Sequence, residues 1–536
     1  MPALEALLVV LIGPPAAAAL SPQVVAFAPF GVFHDLRWLL VYHSSWIGFV
    51  ALALALVGAR AVLDAALVRA AWPIDVDVPV WRHQLRQSLA FTGAQAVLMV
   101  PFAALTVSMA VTSLSWLFFV AVPVVLMLGA LLHHGVVTRS WWRDPPTRAS
   151  TRSFLWTFVA LTVSGGAIAA APTWLRPVLA GVIGASAVTY YRVRIVHHLA
   201  RRPPVAPRRR PFALVGIAGI VAIVVVGTVA GFSIAIAVEA GRTDLPRADA
   251  DASGPPVLIV KGFNSRWDGV TRQWLDGDYR IERFSYRGLG RDGEPRAYAR
   301  VDTHRSVRAL ARELGRQVRA LEQDAGEPVS IVAESQGALI AQAYVAGTPD
   351  APVRALVLLS PLVEPGRVHY PHPGDEGWGV ATGAVLDGIS SALAWISPVD
   401  VSTGTPLFRS IVGQEPALRR LLACPPPSMP SFAVLPLDSG VAAPAPFDIG
   451  YRHAFVPAFH GGLLGDGTTQ RMIRAVVDGR RADGSYFWGF TAGAVSYGAA
   501  AWQAPSLVTS LETRWNADLN DRGCNAVRTN LERWLA

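Results

Sequence analysis

The stretch of sequence that decides the fold is an apolar run that leads through a serine into small and apolar residues, Val329-Ser330-Ile331-Val332-Ala333-Glu334-Ser335-Gln336-Gly337-Ala338-Leu339-Ile340. The β-branched residues before the turn favour a buried strand, and the residues after it favour a helix. The small residues Ala333 and Gly337 stand two positions before and two positions after Ser335, which permits a sharp turn. The pattern predicts a strand–turn–helix unit with Ser335 at its tip.

Other short apolar runs on both sides of this unit alternate with helical patterns. The predicted strands are 257–260, 280–285, 329–332, 355–359, 432–437 and 454–459. Residues 303–323 carry leucine and valine at helical spacing, with arginines on the opposite face. This alternation is typical of an α/β domain with a mainly parallel sheet and crossover helices.

In such sheets, ligands and catalytic groups gather at the carboxyl ends of the strands. Asp438 directly follows the fifth predicted strand, and His460 directly follows the sixth. Together with Ser335 after the third strand, these side chains are expected at one edge of the sheet.

The turn around Ser335 resembles the nucleophile elbow of the α/β-hydrolase superfamily, in particular of lipase-like and esterase-like serine hydrolases. Ala333 stands where that family usually has a first glycine, and Gly337 keeps the second. The family orders its triad as serine, acid and histidine along the chain. The resemblance therefore implies Ser335 as nucleophile, Asp438 as acid and His460 as base, with no metal or cofactor.

The resemblance also implies an oxyanion hole made of two backbone N–H groups. One belongs to Gln336, the residue after the nucleophile, and the other to Phe263, in the loop after the first strand. Lys261 stands in that loop where the family usually has histidine, and Gly262 is retained. The resemblance covers residues 256 to about 480.

Other acids and histidines compete for these roles. Glu364 follows the fourth predicted strand, where some lipases place their acid, and Asp448 and Asp466 are further alternatives. His453 lies at the amino end of its strand and His304 at the start of a helix, so both are less suitable as the base.

Residues 361–427 contain no clear strand and lie where α/β-hydrolases insert a cap, so we expect a lid over the site. His369 and His372, with the nearby acids, offer too few ligands for a metal site. The C-terminal extension, 481–536, lies outside the core pattern, and its stretch 486–502 could pack on the sheet edge, line the acyl pocket or contact the membrane. Cys424 and Cys524 are the only cysteines and could form a disulfide.

The N-terminal residues 1–240 have the composition of a membrane domain. The whole chain is 52% hydrophobic and 16% charged, whereas soluble proteins carry about 25% charged residues. The net charge of +9 is concentrated in residues 1–240, which hold 17 basic and 7 acidic residues. Residues 241–536 are nearly neutral, which argues against nucleic acid as a partner. The arginine-rich run 201–210 is interpreted as a membrane-side anchor, with anionic lipid or nucleic acid as alternatives.

Seven stretches approach the roughly 20 apolar residues that a membrane span needs. They are 7–27, 46–66, 89–113, 116–137, 154–171, 178–196 and 212–238. The basic stretches 60–86, 139–152 and 192–210 hold 15 of the 17 arginines, which predicts that they are cytoplasmic. Residues after the 241–256 linker are then outside the cytoplasm of a multi-pass plasma-membrane protein. The spans show no run of buried charges that would favour a transporter.

The sequence thus predicts an N-terminal transmembrane bundle of about seven helices and an α/β-hydrolase domain at 257–480. The expected activity is hydrolysis of an apolar carboxylic ester beside the lipid bilayer. Acyl transfer on the same fold, a non-catalytic binding module, and a transporter or channel with a regulatory outer domain stay open. The oligomeric state is left open.

Overall fold

The computed structural model describes residues 4, 8, 18–112, 115–138, 141–201, 215–220, 246–249, 252–275, 277–363, 365–366, 370–394, 404–413, 416–427, 429–442, 449–458, 460, 462–502 and 523–536. The predicted acids Glu364 and Asp448, together with His369, lie outside these residues. So does most of the predicted span 212–238.

The described residues of the N-terminal half form helices joined by loops. Its α-helices are α1 (Ser21–Ala26), α2 (Ala28–Leu39), α3 (Trp46–Ala70), α4 (Trp81–Thr112), α5 (Ser115–Leu132), α6 (Arg148–Ala170) and α7 (Arg176–Ala200). Three described helices are long and apolar enough to cross a membrane: Trp46–Ala70, Trp81–Val107 and Arg148–Ala170. These three coincide with predicted spans, and the total of seven stays a prediction.

The first predicted span, 7–27, differs from the expectation over its described part. The chain here forms α1 and then α2, and extended backbone at Phe27 separates the two helices. Pro22 and Pro29 lie in the first turn of α1 and α2, respectively, where a missing N–H is tolerated. All of α1 and most of α2 are buried, so this apolar segment packs against protein.

Ion pairs occur inside the bundle, one partly buried and one buried; they are separate pairs and not the run of buried charges that would favour a transporter. Arg60 Nε lies 2.5 Å from Asp35 Oδ2, and Arg192 Nη2 lies 2.6 Å from Asp64 Oδ1. Both arginines were assigned to basic loops, but they lie within α3 and α7 and face acids of neighbouring helices. Apolar periodicity does not reveal such pairs, because the partners are 25 and 128 residues apart.

The C-terminal half contains a six-stranded sheet with the order β2-β1-β3-β4-β5-β6, in which all neighbouring strands are parallel. The strands are β1 (Pro256–Val260), β2 (Arg280–Arg283), β3 (Val329–Glu334), β4 (Val353–Leu359), β5 (Ser431–Pro436) and β6 (Arg452–Val456). All six predicted strands are found, and the predicted parallel sheet is confirmed.

Helices cover both faces of this sheet. They are α8 (Val307–Ala325), α9 (Gln336–Ala346), α10 (Val380–Ala394), α11 (Pro406–Gly413), α12 (Ser439–Ala442), α13 (Gly467–Val477), α14 (Tyr486–Ala499) and α15 (Cys524–Leu535). Leu258 and Val260 pack into one apolar core and Val257 and Ile259 into another, as alternation along a strand requires. Part of the predicted linker pairs with this domain, since Arg247 forms an isolated antiparallel bridge with Arg272.

The C-terminal half packs on one end of the helical bundle. Helix α10, in the predicted cap, contacts α3 and α4. Just before α10, the Gly379 N–H donates to the His43 carbonyl at 2.6 Å, and the Ala381 N–H donates to His43 Nε2 at 2.8 Å. At the C-terminal end, Arg37 Nη1 donates to the Trp502 carbonyl at 3.0 Å.

The arginine-rich segments meet at the other end of α3. Arg201 pairs with Asp75 in the α3–α4 loop at 2.8 Å. Thr147, which caps α6, lies 2.9 Å from His198 Nε2. Because α3 is 25 residues long and rises about 1.5 Å per residue, the basic segments and the contacts with the C-terminal half are separated by roughly the thickness of a bilayer.

Candidate functional site

Ser335 occupies a strained turn between β3 and α9. Its backbone has φ 57° and ψ −120°, a conformation that L-residues rarely adopt. The Ser335 N–H donates to the Leu359 carbonyl at 2.9 Å, which fixes the turn at the end of the sheet. A Cβ at Gly337 would come within 2.5 Å of the Val260 carbonyl oxygen, so this position requires glycine. The turn therefore raises Ser335 at the carboxyl edge, as the sequence pattern predicts.

His460 lies beside this serine. Its Nε2 is 2.8 Å from Ser335 Oγ, within hydrogen-bond distance. Burial lowers the pKa of His460 below 6.5, while the negative charges of Asp438 and Glu334 oppose that shift. The imidazole is therefore held neutral near pH 7, and a neutral imidazole can accept a proton from the serine.

Asp438 follows β5 and is buried behind His460. Its Oδ2 accepts a hydrogen bond from the backbone N–H of His460 at 3.2 Å. The carboxylate also raises the pKa of the imidazole through its charge. The structure thus brings Ser335, Asp438 and His460 together at one edge of the sheet, although they are up to 125 residues apart in sequence.

The loop after β1 passes directly against Ser335. A Cβ at Gly262 would lie 2.9 Å from Ser335 Cβ, so only glycine lets the loop approach this closely. The next residues, Phe263 and Asn264, continue past the serine, and Asn264 adopts a positive φ of 57°. Phe263 directly follows the glycine that approaches Ser335, and Gln336 directly follows Ser335 itself.

Thr303 joins this loop to the serine turn. Its Oγ1 accepts from the Asn264 N–H at 3.0 Å, and its carbonyl accepts from Gln336 Nε2 at 2.7 Å. His304, dismissed in sequence as a helix start, ends a short 3-10 helix, Arg300–His304, instead. Its ring stacks on Phe263 with centroids 4.9 Å apart, and its Nε2 lies 2.8 Å from Asn264 Oδ1. Sequence reasoning missed both residues as supports of the loop.

A buried ion pair also lies next to the serine. Lys261 Nζ contacts Glu334 Oε2, and the two side chains are 12% and 6% exposed. In sequence, Lys261 is a departure from the pattern of the resembled family, and no motif marks Glu334. The signal available in sequence was that both charged residues directly follow or end apolar strands.

Among the described residues, the alternative acid Asp466 and the alternative base His453 each bond to groups near them in the sequence. Asp466 caps α13, because its carboxylate accepts from the Thr469 N–H at 2.7 Å and from Thr469 Oγ1 at 2.9 Å. His453 lies near the amino end of β6, with Nδ1 2.9 Å from the Tyr451 carbonyl.

The described part of the predicted cap contains helices, and one of them packs against the loop after β1. Phe408 of α11 meets the Phe263 ring edge-on, with centroids 5.6 Å apart. Ser410 Oγ accepts from the Val307 N–H at 3.0 Å, which ties α11 to the start of α8. The end of the cap is joined to α15 by a disulfide between Cys424 and Cys524, whose Cα atoms are 5.3 Å apart.

Comparison with known proteins gives one match. Residues 256–386 match the family model described as serine aminopeptidase, S33. That family belongs to the α/β-hydrolase superfamily, and the parallel sheet fits its fold. The matched residues include the Ser335 turn and stop before Asp438 and His460. No curated protein and no solved structure gives a significant match. The C-terminal half therefore carries the features of a hydrolase.

Proposed function

We propose that the protein is a membrane-anchored serine hydrolase that cleaves carboxylic esters through Ser335, His460 and Asp438. The single observation that carries this proposal is the 2.8 Å contact between Ser335 Oγ and His460 Nε2 at a strained strand-to-helix turn. A nucleophile and a base within hydrogen-bond distance are the arrangement that serine acyl transfer requires.

The proposed reaction has two half-reactions. Ser335 Oγ attacks the ester carbonyl while His460 Nε2 accepts its proton, and the backbone N–H groups of Phe263 and Gln336 stabilise the oxyanion. His460 then returns the proton to the leaving alcohol, which leaves an acyl group on Ser335. Water attacks this acyl-enzyme by the same route and releases the acid. Asp438 stabilises the imidazolium that forms in both steps.

The membrane setting is proposed from the apolar surface of the bundle. In α3, only 6% of the most apolar 18-residue window is buried. Helix α14 packs against α6 and against α12, the short helix that directly follows Asp438. Tyr486, Phe487 and Phe490 of α14 are 89%, 61% and 69% exposed. Aromatic side chains of this kind are enriched at membrane interfaces, so an apolar ester from the bilayer is the proposed substrate.

The orientation is proposed from charge. The basic segments meet at the end of α3 remote from the hydrolase half, and basic loops favour the cytoplasm. The hydrolase then lies outside the cytoplasm of a plasma-membrane protein. The Cys424–Cys524 disulfide supports this side, since disulfides persist in oxidising compartments.

A fluorophosphonate probe tests the nucleophile. Full-length protein in membranes should be labelled covalently, and Ser335→Ala should abolish labelling. Ser485→Ala is the matched control, because Ser485 makes no side-chain cap bond at the start of α14. Unchanged labelling of the Ser335→Ala variant would contradict the assignment, and lack of labelling in the unaltered protein would favour a non-catalytic module.

Amide hydrolysis is the second candidate, favoured by the description of the matching family as a serine aminopeptidase. Matched ester and amide substrates with the same acyl group distinguish the two bonds, and the proposal predicts faster turnover of the ester. Acyl transfer is separated from hydrolysis by identifying whether the acyl group appears on water or on a second alcohol.

A further inference from the structure

The chain contains 47 basic residues, and Lys261 is the one lysine among them. Its ammonium lies against the Glu334 carboxylate and 5.3 Å from the centre of the Trp274 ring. Both side chains of the ion pair are largely removed from solvent. The ammonium therefore contacts a carboxylate and faces an aromatic ring, both of which stabilise a cation.

The ion pair connects the two loops that form the candidate oxyanion hole. Lys261 directly precedes Gly262, and Glu334 directly precedes Ser335. Their strands are neighbours, with Val260 in register with Ala333. The Lys261 carbonyl also accepts from the Tyr286 hydroxyl at 2.5 Å, which holds the loop from its other side. The pair therefore fixes the distance between the loop and the serine turn.

The pair also lies near His460, because Glu334 directly precedes Ser335, whose Oγ lies 2.8 Å from His460 Nε2. The charged side chains that act on the imidazole are Asp438, at the end of β5, and Glu334, at the end of β3. Lys261, at the end of β1, partly neutralises Glu334. Two unneutralised carboxylates beside the imidazole would favour its protonated form, which cannot accept the serine proton.

We propose that Lys261 and Glu334 are positioning residues for the His460 base: their ion pair fixes the charge beside the imidazole and ties the oxyanion loop to the nucleophile turn. This inference rests on the proposed serine hydrolase function. Its distinctive consequence is that removal of either partner shifts the pH dependence of the reaction, and that the two shifts have opposite signs.

The test measures the rate of fluorophosphonate labelling of Ser335 against pH in full-length protein. The acid midpoint is the pH below neutrality at which the labelling rate is half-maximal. Glu334→Gln removes the negative charge that offsets Lys261, so this midpoint should fall by about 1 pH unit. Lys261→Met removes the positive charge that offsets Glu334, so the midpoint should rise by about 0.5 pH unit. The double variant should return to within about 0.3 pH unit of the unaltered protein. Lys261→Arg keeps the charge and should keep the midpoint.

The alternative is a purely structural ion pair. In that case all variants would lower the maximal labelling rate while the midpoint stays in place, or both single variants would shift it in the same direction, and either result overturns the inference. The double variant keeps the test decisive if one single variant fails to fold. Lack of labelling in the unaltered protein would instead refute the proposed function, so the two failures are distinguishable.

Discussion

The two halves of the molecule use apolar residues in opposite ways. In the hydrolase half, the residues of β1 and β3 are buried without exception. In the helical half, α3 exposes most of its apolar side chains, including Ile47 at 85% and Leu54 at 68%. Apolar side chains of the hydrolase half make a protein core, whereas those of the helical half suit a lipid environment. A position's tolerance to substitution should therefore differ between the halves even when its residue type is the same.

The largest expected effect is a loss of turnover when the buried acid of the hydrolase half, Asp438, is replaced. Asp438→Asn removes the charge that favours the imidazolium of His460, so turnover should fall by on the order of 10³–10⁴-fold. The measurement is ester hydrolysis by purified full-length protein, with thermal unfolding to show that the fold persists. Asp483, exposed beside Arg481, provides the matched control through Asp483→Asn. Near-normal turnover of the Asp438→Asn variant would move the acid role to Glu364 or Asp448.

The disulfide should contribute stability to the hydrolase half alone. Cys424 and Cys524 are 100 residues apart, and closing a loop of this kind stabilises a fold by about 2–5 kcal/mol in the chain-entropy account. Cys424→Ser with Cys524→Ser should therefore lower the temperature at which probe labelling is lost. A reducing agent should have the same effect on the unaltered protein and none on the double variant. An unchanged temperature in both experiments would contradict a stabilising disulfide.

Two glycines sharpen the comparison further. Gly337→Ala places a methyl group 2.5 Å from the Val260 carbonyl oxygen and 2.8 Å from that of Lys261, which should cost about 1–3 kcal/mol. Gly58 lies in α3, and a Cβ added there would have no atom within 4 Å. Gly58→Ala should therefore stabilise the helix by up to about 1 kcal/mol. Thermal unfolding of detergent-solubilised protein checks both. Equal effects of the two substitutions would show that the proposed difference between the halves is wrong.

The smallest effect concerns pH. Burial holds the pKa of His460 below 6.5, so the neutral base persists as the pH falls past 6.5 and is lost only at lower pH. Labelling of Ser335 should therefore be half-maximal below pH 6.5. A rate profile measured from neutral to acid pH checks this, and a midpoint above 6.5 would show that the nearby carboxylates outweigh burial.

Much of the hydrolase half was predictable because its signals are local. Strand alternation predicted all six strands, and the carboxyl-end rule brought Asp438 and His460 to the same edge as Ser335. The Lys261–Glu334 pair was not predictable, since its partners are 73 residues apart and meet only through the register of β1 and β3. The same holds for His304, whose contact with Asn264 depends on the path of a loop between strands.

The helical half was less predictable for a physical reason. Composition shows that a segment is apolar but does not show whether protein or lipid surrounds it. Residues 18–27 belong to a predicted span, yet all of α1 within them is buried. Contacts such as His43 with Ala381 join segments 338 residues apart, and no local pattern indicates them.

The most direct test of the central claim uses a membrane-impermeant fluorophosphonate on intact cells. An extracytoplasmic Ser335 nucleophile predicts labelling without permeabilisation and loss of that labelling in Ser335→Ala. Labelling that requires permeabilisation would place the hydrolase on the cytoplasmic side, and labelling that persists in Ser335→Ala would remove Ser335 as the nucleophile.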